Sequence, residues 1–280
     1  MWCASTMGRL ASLTAVVTVL AVLVGSSGAA GSAGDQVIVP RGEQVQVAFA
    51  AVNNEGEFLA AASESIENAI QMAIERHPTI RGFPIGVNTV DTSCGGDNSV
   101  AATAIVDNEQ NTAVLGHICS AGFASALPLY EEAGVVTISG SASASFLTPE
   151  PQQTLLGPTV FNRTIVVSDA QGDAGDMWIS QIAALPSVLE WQEEYEAEFG
   201  QAPVLPALSA MHFDAASLLL QRLQKVSKIV NGKLTIDRAA LAQAVRATTK
   251  YRGVTCMITL NPNTGNRIND QAALSRCAQG

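Results

Sequence analysis

Apolar residues follow two periods in the first half of the chain. Short apolar runs, typical of buried strands, cover residues 45–52, 85–91, 113–116 and 135–139. Amphipathic spacing, with apolar residues three and four positions apart, predicts helices at residues 64–75, 99–107 and 125–133. Strands that alternate with helices predict an α/β fold with a doubly wound parallel sheet. In such folds ligands bind beyond the carboxyl ends of the strands.

The pattern changes after residue 162, where we expect the first α/β lobe (residues 44–162) to end. A polar junction at residues 163–186 carries Asp169, Asp173 and Asp176, which we interpret as a solvated hinge. Three helices are predicted at residues 185–200, 212–226 and 236–248, followed by a strand at 254–260 and a tail at 261–280. Three helices with almost no strands between them cannot form a second α/β lobe. We therefore expect residues 187–260 to cover the first lobe.

The N-terminus has the features of a secretory signal peptide. Arg9 precedes an apolar run at residues 10–24, and a tract of small residues follows, which predicts cleavage near Ala33 and a mobile lead-in at residues 34–43. An uncleaved membrane anchor is the alternative, although the run is shorter than the ~20 residues that a span needs. The mature protein is expected in the periplasm or outside the cell.

Composition and charge narrow the function classes. The chain has 280 residues, 48% of them hydrophobic, which is enough for a sizeable core in one or two domains. A net charge of −10 argues against nucleic acid or an anionic membrane as a partner. The sequence contains no GxSxG, HExxH, GxGxxG or P-loop motif, so we do not expect an enzyme or a bound cofactor.

Four cysteines remain once Cys3 leaves with the signal peptide. They allow three pairings, of which we expect the bridges Cys94 to Cys119 and Cys256 to Cys277. Free buried thiols are the alternative. A metal site is not expected, because there is no CxxC motif and the three histidines lack ligand spacing.

Two polar loops follow neighbouring predicted strands. In the segment VLGHICSAG (residues 114–122), a strand runs into small polar residues just before a helix, whose first N–H groups and Ser120 hydroxyl suit a carboxylate. The loop SGSAS (residues 139–143) follows the next strand and is expected on the same sheet edge. The alternative is that Ser120 is only a helix N-cap and Ser143 an ordinary loop serine.

These segments resemble the type I periplasmic solute-binding proteins of branched-chain amino acid ABC transporters. VLGHICS followed by LYEEAGVVTIS and a small polar loop is similar to the family's stretch from its disulfide to its carboxylate loop. The Cys94 to Cys119 spacing matches the family's bridge, HFDAASLLLQ its late helix, and YRGVTCMITLNPNTGNR its closing strand and turn. The resemblance covers roughly residues 44–172 and 188–268.

The resemblance implies roles for seven residues around an amino-acid ligand. The residues are Cys119, Ser120, Ser141, Ala142, Ser143, Phe58 and Leu208. Ser120, beside Cys119, would hold the ligand carboxylate, and the Ser141 carbonyl would accept from its ammonium. Ala142 would line the pocket, and Ser143 would supply a hydroxyl. Phe58, which could instead be a core residue, and Leu208 would meet the ligand side chain.

One part of the family pattern has no counterpart here. Members fold two lobes around the ligand, whereas this chain passes almost directly from residue 172 to the late helices of the first lobe. The resemblance therefore implies an amino-acid importer component that delivers its ligand to a membrane permease, with reduced affinity. The alternative is a noncatalytic sensing module, or a non-functional remnant, that forms a homodimer through the open cleft face.

Overall fold

The computed structural model describes residues 36–148, 160–168 and 174–280. The predicted signal peptide and the residues Asp169 and Asp173 lie outside these ranges, as does the side chain of Asp176. Among the residues that the structure describes, no helix is long and apolar enough to cross a membrane.

A six-stranded sheet forms the centre of the fold, with strand order β3-β4-β2-β5-β6-β7. The strands are β2 (Val45–Ala51), β3 (Thr79–Ile80), β4 (Phe83–Asp91), β5 (Asn111–Leu115), β6 (Val136–Ser139) and β7 (Phe161–Arg163). All neighbours pair in parallel except β3 and β4, which form an antiparallel hairpin at one edge. This is the doubly wound α/β arrangement that the apolar runs predict.

Helices cover both faces of this sheet, which explains why its central strands are apolar throughout. Those in the sheet's crossovers are α1 (Glu57–Arg76), α2 (Ser99–Asp107) and α3 (Ser120–Ala133). Alternate residues of β2 enter two separate core clusters: Val47 and Phe49 pack on the side of α1, and Ala48 and Ala50 on the side of α2 and α3. The period-2 geometry of a strand thus divides the core into two layers.

Residues 174–280 add five helices and four strands. The helices are α4 (Ala174–Ala183), α5 (Pro186–Phe199), α6 (Pro206–Val226), α7 (Arg238–Arg246) and α8 (Gln271–Cys277). The strands are β8 (Lys228–Val230), β9 (Lys233–Asp237), β10 (Tyr251–Gly253) and β11 (Cys256–Ile258). The α6 helix packs along α1 and contacts strands β3, β5 and β6 of the central sheet.

Three segments differ from the sequence interpretation. The lead-in is not free, because Gln36–Val39 forms strand β1, which pairs antiparallel with β9 and buries Val37 and Val39. The strand predicted at 254–260 is instead the hairpin of β10 and β11, in which Cys256 has a φ of 76° that breaks the extended run. The C-terminal tail contains α8, and Cys277 at its end pairs with Cys256 across 5.9 Å between Cα atoms.

Candidate ligand-binding site

Five parallel strands end at one edge of the sheet, and their following loops lie side by side. β4 leads to residues 92–98, β2 to the first turn of α1, β5 to residues 116–119 (the β5 loop), β6 to residues 140–144 (the β6 loop) and β7 to residues 164–168. Since neighbouring strands are about 4.8 Å apart, the β5 and β6 loops are adjacent. The sheet therefore brings together the two loops that the sequence singles out.

Hydrogen bonds join the two loops to each other. The Ser139 hydroxyl donates to the His117 carbonyl at 2.8 Å and accepts from the Ala142 N–H at 2.9 Å. The Ser141 hydroxyl donates to the Ile118 carbonyl at 2.8 Å. The Ala144 N–H donates to Ser120 Oγ at 3.2 Å. The loops thus form one supported surface.

The start of α3 retains the donors that an anion requires. Ser120 is the first residue of the helix, and Cys119 is its N-cap without a side-chain hydrogen bond to the first turn. Ser120 is half-buried, and its hydroxyl hydrogen remains able to donate while its oxygen accepts from Ala144. The first N–H groups of a helix, aided by its dipole, bind carboxylates well. This arrangement supports the predicted carboxylate site.

A disulfide and a close contact fix the position of this helix terminus. Cys119 is bonded to Cys94, which follows β4, with 4.9 Å between their Cα atoms. A Cβ on Gly122 would lie 1.9 Å from the Ser93 carbonyl oxygen, so only glycine allows α3 to approach this loop. The bridge predicted from the sequence is confirmed, and it lies directly beside Ser120.

Arg163, the last residue of β7, supports residues 142–144 of the β6 loop. Its fully buried guanidinium donates to the carbonyls of Ala142 and Ala144, each at 2.9 Å, and to Thr148 Oγ1 at 2.6 Å. The Ser168 N–H donates to the Ser143 carbonyl at 2.9 Å. These hydrogen bonds occupy the carbonyls of Ala142, Ser143 and Ala144. Without them, those carbonyls would compete with the Ser141 carbonyl for the ligand ammonium.

The other predicted site residues differ in exposure. Phe58 is 61% exposed on the first turn of α1, so it lies on the open edge and not in the core. Ala142 is fully buried in the second core cluster, and its N–H and carbonyl bond to Ser139 and Arg163. Leu208, on the first turn of α6, is half-buried and packs partly against the core. Ser143 is half-buried on the β6 loop.

Sequence reasoning missed three side chains that support the site. Arg163, Ser139 and His212 are fully buried and bond to the loops. Ser139 and His212 lie in the segments SGSAS and HFDAASLLLQ, but the sequence predicts no role for either of them. A usable signal for Arg163 is its position two residues after the apolar pair Val160 and Phe161, where a cation at a buried strand end must find carbonyl partners.

Two histidines near the loops are held neutral. Burial lowers the pKa of His117 to about 3 and that of His212 to about 4. The His117 ring stacks on Phe123 and bonds to the Tyr130 hydroxyl at 2.9 Å. Neither imidazole contributes positive charge to the carboxylate site.

A second polar cluster lies on another face of α6. Asp214 accepts from the N–H groups of Val254 and Thr255 at 2.8 and 2.9 Å. Arg267 donates to Thr255 Oγ1 at 2.9 Å and to the Thr164 carbonyl at 2.8 Å, and lies over the Trp178 ring. Burial raises the pKa of the Asp214 carboxyl, while these hydrogen bonds and the nearby Arg267 charge oppose that shift.

Known structures with the same fold were found, although no protein-family model matches the sequence and no curated protein sequence is similar to it. A leucine-binding protein, LivK, from Thermotoga maritima is 16% identical with a TM-score of 0.59, over 80% of this chain and 93% of that chain. A substrate-binding protein from Desulfitobacterium hafniense, solved with Leu, is 18% identical with a TM-score of 0.60, over 81% and 96%. A solute-binding protein from Rhodopseudomonas palustris, solved with 3,4-dihydroxybenzoic acid, is 16% identical with a TM-score of 0.61, over 80% and 91%.

The chain therefore has the fold of type I periplasmic binding proteins. In the described ranges all parallel strand pairs belong to one sheet, so these residues form a single α/β lobe. The loops at its carboxyl edge face solvent, as the exposed side chains of Phe58 and Phe146 show, at 61% and 58%.

Proposed function

We propose that the protein is the extracytoplasmic solute-binding component of an ABC-type importer and binds a small amino acid, with leucine-like branched-chain amino acids or related amides as the first candidates. The observation that carries this proposal is the uncapped start of α3 beside Ser120, on a loop tied to the serine-rich β6 loop. A permease in the membrane is the implied partner. The role is transport and not catalysis.

The ligand's carboxylate is the best supported part of this proposal. The solved relatives with this fold hold leucine in one case and an aromatic acid in another, and both molecules carry a carboxylate. In this chain, the α3 N–H groups and the Ser120 hydroxyl would bind that carboxylate. The Ser141 carbonyl and Ser143 hydroxyl would bind the ammonium, and Phe58 and Leu208 would contact the side chain.

An open lobe should bind its ligand weakly. Two-lobed proteins gain affinity by closing over the ligand and excluding water, whereas hydrogen bonds that stay in contact with water contribute only about 0.5–1.5 kcal/mol each. We expect a Kd for leucine near the millimolar scale, about −4 kcal/mol.

Titration of the ¹⁵N-labelled protein with L-leucine tests the proposal. Amide shifts at Ser120, Ala121, Ser141 and Ser143 that saturate near millimolar leucine would support it. D-leucine and 3-methylbutylamine, which is leucine without its carboxylate, are the matched controls. Shifts with 3-methylbutylamine equal to those with leucine would contradict the carboxylate site, and micromolar affinity for leucine would contradict the open lobe.

The exposed side chains at this edge favour one alternative function. Phe58, Phe146 and Val167 follow three strands that end at the same edge, and all are exposed. Such an apolar surface is typical of interaction sites. A noncatalytic sensing module that dimerises through this face would sediment as a dimer, and Phe58→Ser with Phe146→Ser would return it to a monomer.

A further inference from the structure

His212 lies between the β6 loop and the first turn of α6. Its ring is fully buried. The Gly140 N–H donates to His212 Nε2 at 3.2 Å, and His212 Nδ1 is 2.9 Å from the Leu208 carbonyl oxygen. One imidazole therefore joins Gly140, at the start of the β6 loop, to Leu208, which is expected to meet the ligand side chain.

The two partners of this ring assign its proton. A carbonyl oxygen can only accept and a backbone N–H can only donate. Nδ1 must therefore carry the hydrogen and Nε2 the lone pair. Burial lowers the pKa of His212 to about 4, so the ring is neutral at physiological pH. His212 is thus held in a single tautomer.

The His212 ring leaves no room for a side chain at position 140. A Cβ at position 140 would lie 2.6 Å from His212 Nδ1 and 2.8 Å from the His212 backbone nitrogen. Contacts under 3.0 Å do not occur for real Cβ atoms, so the loop can reach α6 only with glycine here. Gly140 therefore makes both the close backbone contact with α6 and the hydrogen bond to the His212 ring.

The other supports of the β6 loop come from different directions. Ser139 ties the loop to the β5 loop, and Arg163 holds the carbonyls of Ala142 and Ala144. Among the described residues, His212 is the side chain that bonds to the loop from α6. A second polar link between α6 and this strand end runs through Thr164, whose hydroxyl donates to the Met211 carbonyl at 2.8 Å and whose N–H donates to the Ser139 carbonyl at 2.9 Å. His212 is the link that reaches the loop itself.

We propose that His212 is a positioning residue of the ligand site: its Nδ1-protonated ring clamps the β6 loop to α6 and sets the spacing between Leu208 and the ligand-binding groups of the loop, the Ser141 carbonyl and the Ser143 hydroxyl. This inference rests on the proposed amino-acid site for its functional consequence. The clamp itself is a property of the fold and can be measured without a ligand.

Two NMR measurements on the protein test the clamp directly. Long-range ¹H–¹⁵N correlation should show His212 as the Nδ1–H tautomer, and the Gly140 amide should exchange slowly with solvent. In His212→Phe, which keeps a buried ring but accepts no hydrogen bond, Gly140 exchange should rise about five- to twelvefold, since a bond of about 1–1.5 kcal/mol is lost. His212→Gln, whose side-chain oxygen can accept from Gly140, should restore part of the protection.

His117→Phe is the matched control for loss of a buried histidine. Its ring bonds to Tyr130 and not to the β6 loop, so Gly140 exchange should stay at the wild-type rate. Unchanged Gly140 exchange in both His212 variants, or an Nε2-protonated tautomer in the wild type, would overturn the clamp. If His212→Phe does not fold, the tautomer and His212→Gln decide the question.

Leucine titration then separates the clamp from the proposed function. We expect His212→Phe to raise the Kd for leucine about three- to tenfold, with His212→Gln intermediate. If wild-type protein binds no leucine, the proposed function fails while the exchange rates still decide the clamp. If the wild type binds and His212→Phe binds equally well, His212 does not position the site.

Discussion

His212 and Asp214 lie two residues apart on α6, about 200° around the helix, and support two polar clusters of different kinds. Around Asp214, charged groups are sealed: Asp214 is 1% exposed and Arg267 5%, and every bond described for them is to the protein itself. At the β5 and β6 loops the side chains of Ser120, Ser141 and Ser143 are uncharged and half-buried, and the N-cap of α3 has no side-chain hydrogen bond to the first turn. A cluster whose hydrogen-bonding capacity is used internally stabilises the fold, whereas unused donors at an open edge can bind a ligand.

Removing Asp214 should have the largest effect on stability. Asp214→Ala leaves the N–H groups of Val254 and Thr255 and the Thr255 hydroxyl without their buried acceptor and removes the carboxyl near Arg267. Each buried donor left unsatisfied costs about 1–3 kcal/mol. Urea unfolding followed by circular dichroism measures the loss, with the exposed Glu190→Ala on α5 as control. A loss under about 1 kcal/mol would show that the cluster is not sealed.

Removing each disulfide in turn tests which region of the molecule binds leucine. They close loops of similar length, 25 and 21 residues, so removing either should cost about 3 kcal/mol by loop entropy. Only C94A/C119A changes a bridge beside Ser120. We therefore expect similar losses of stability in C94A/C119A and C256A/C277A, but weaker leucine binding in the first alone.

Affinity measured below the melting range of both variants decides this comparison. If C256A/C277A weakens leucine binding as much as C94A/C119A does, binding depends on global stability and not on the β5 loop.

Acid should destabilise the protein through the two buried histidines. Their pKa values are about 3 and 4 in the folded state, below the ordinary value near 6.5. Between about pH 4 and 6.5 the unfolded chain binds protons that the folded chain does not, so stability falls as pH falls. The expected loss is about 2 kcal/mol per histidine at pH 5.

Comparing the wild type with His212→Gln isolates one of these groups. The difference in unfolding free energy between pH 7 and pH 5 should shrink by about 2 kcal/mol in the variant. An identical pH dependence in both proteins would mean that His212 is not held neutral by burial.

The sequence predicted the sheet and the position of the β5 and β6 loops. Strands buried on both faces produce apolar runs that periodicity detects. Ser99–Asp107 was predicted with its observed bounds. The start of α1 at Glu57 and of α6 at Pro206 lies earlier than predicted. Their first turns carry exposed or small residues, such as Phe58 and Ala207, that do not fit an amphipathic stripe.

What the sequence could not predict depends on contacts between distant residues. Strand β7 has three residues and is defined only by its pairing with β6. The roles of His212 and Arg163 depend on loops 72 and about 20 residues away, and no local pattern encodes such contacts. The best supported part of the candidate site is therefore Ser120 and the start of α3, where local sequence and structure agree.

Ser120→Ala should have the smallest effect on the fold but a specific effect on binding. The variant loses a hydroxyl donor to the ligand and an acceptor for the half-buried Ala144 N–H, which water can replace. We expect less than about 1 kcal/mol of lost stability and a leucine Kd raised about three- to tenfold. Ser125→Ala is the matched control, since Ser125 lies on the same helix but bonds to Asn98 and Gly122 on its other side. If Ser125→Ala weakens binding as much as Ser120→Ala, the start of α3 is not where the carboxylate binds.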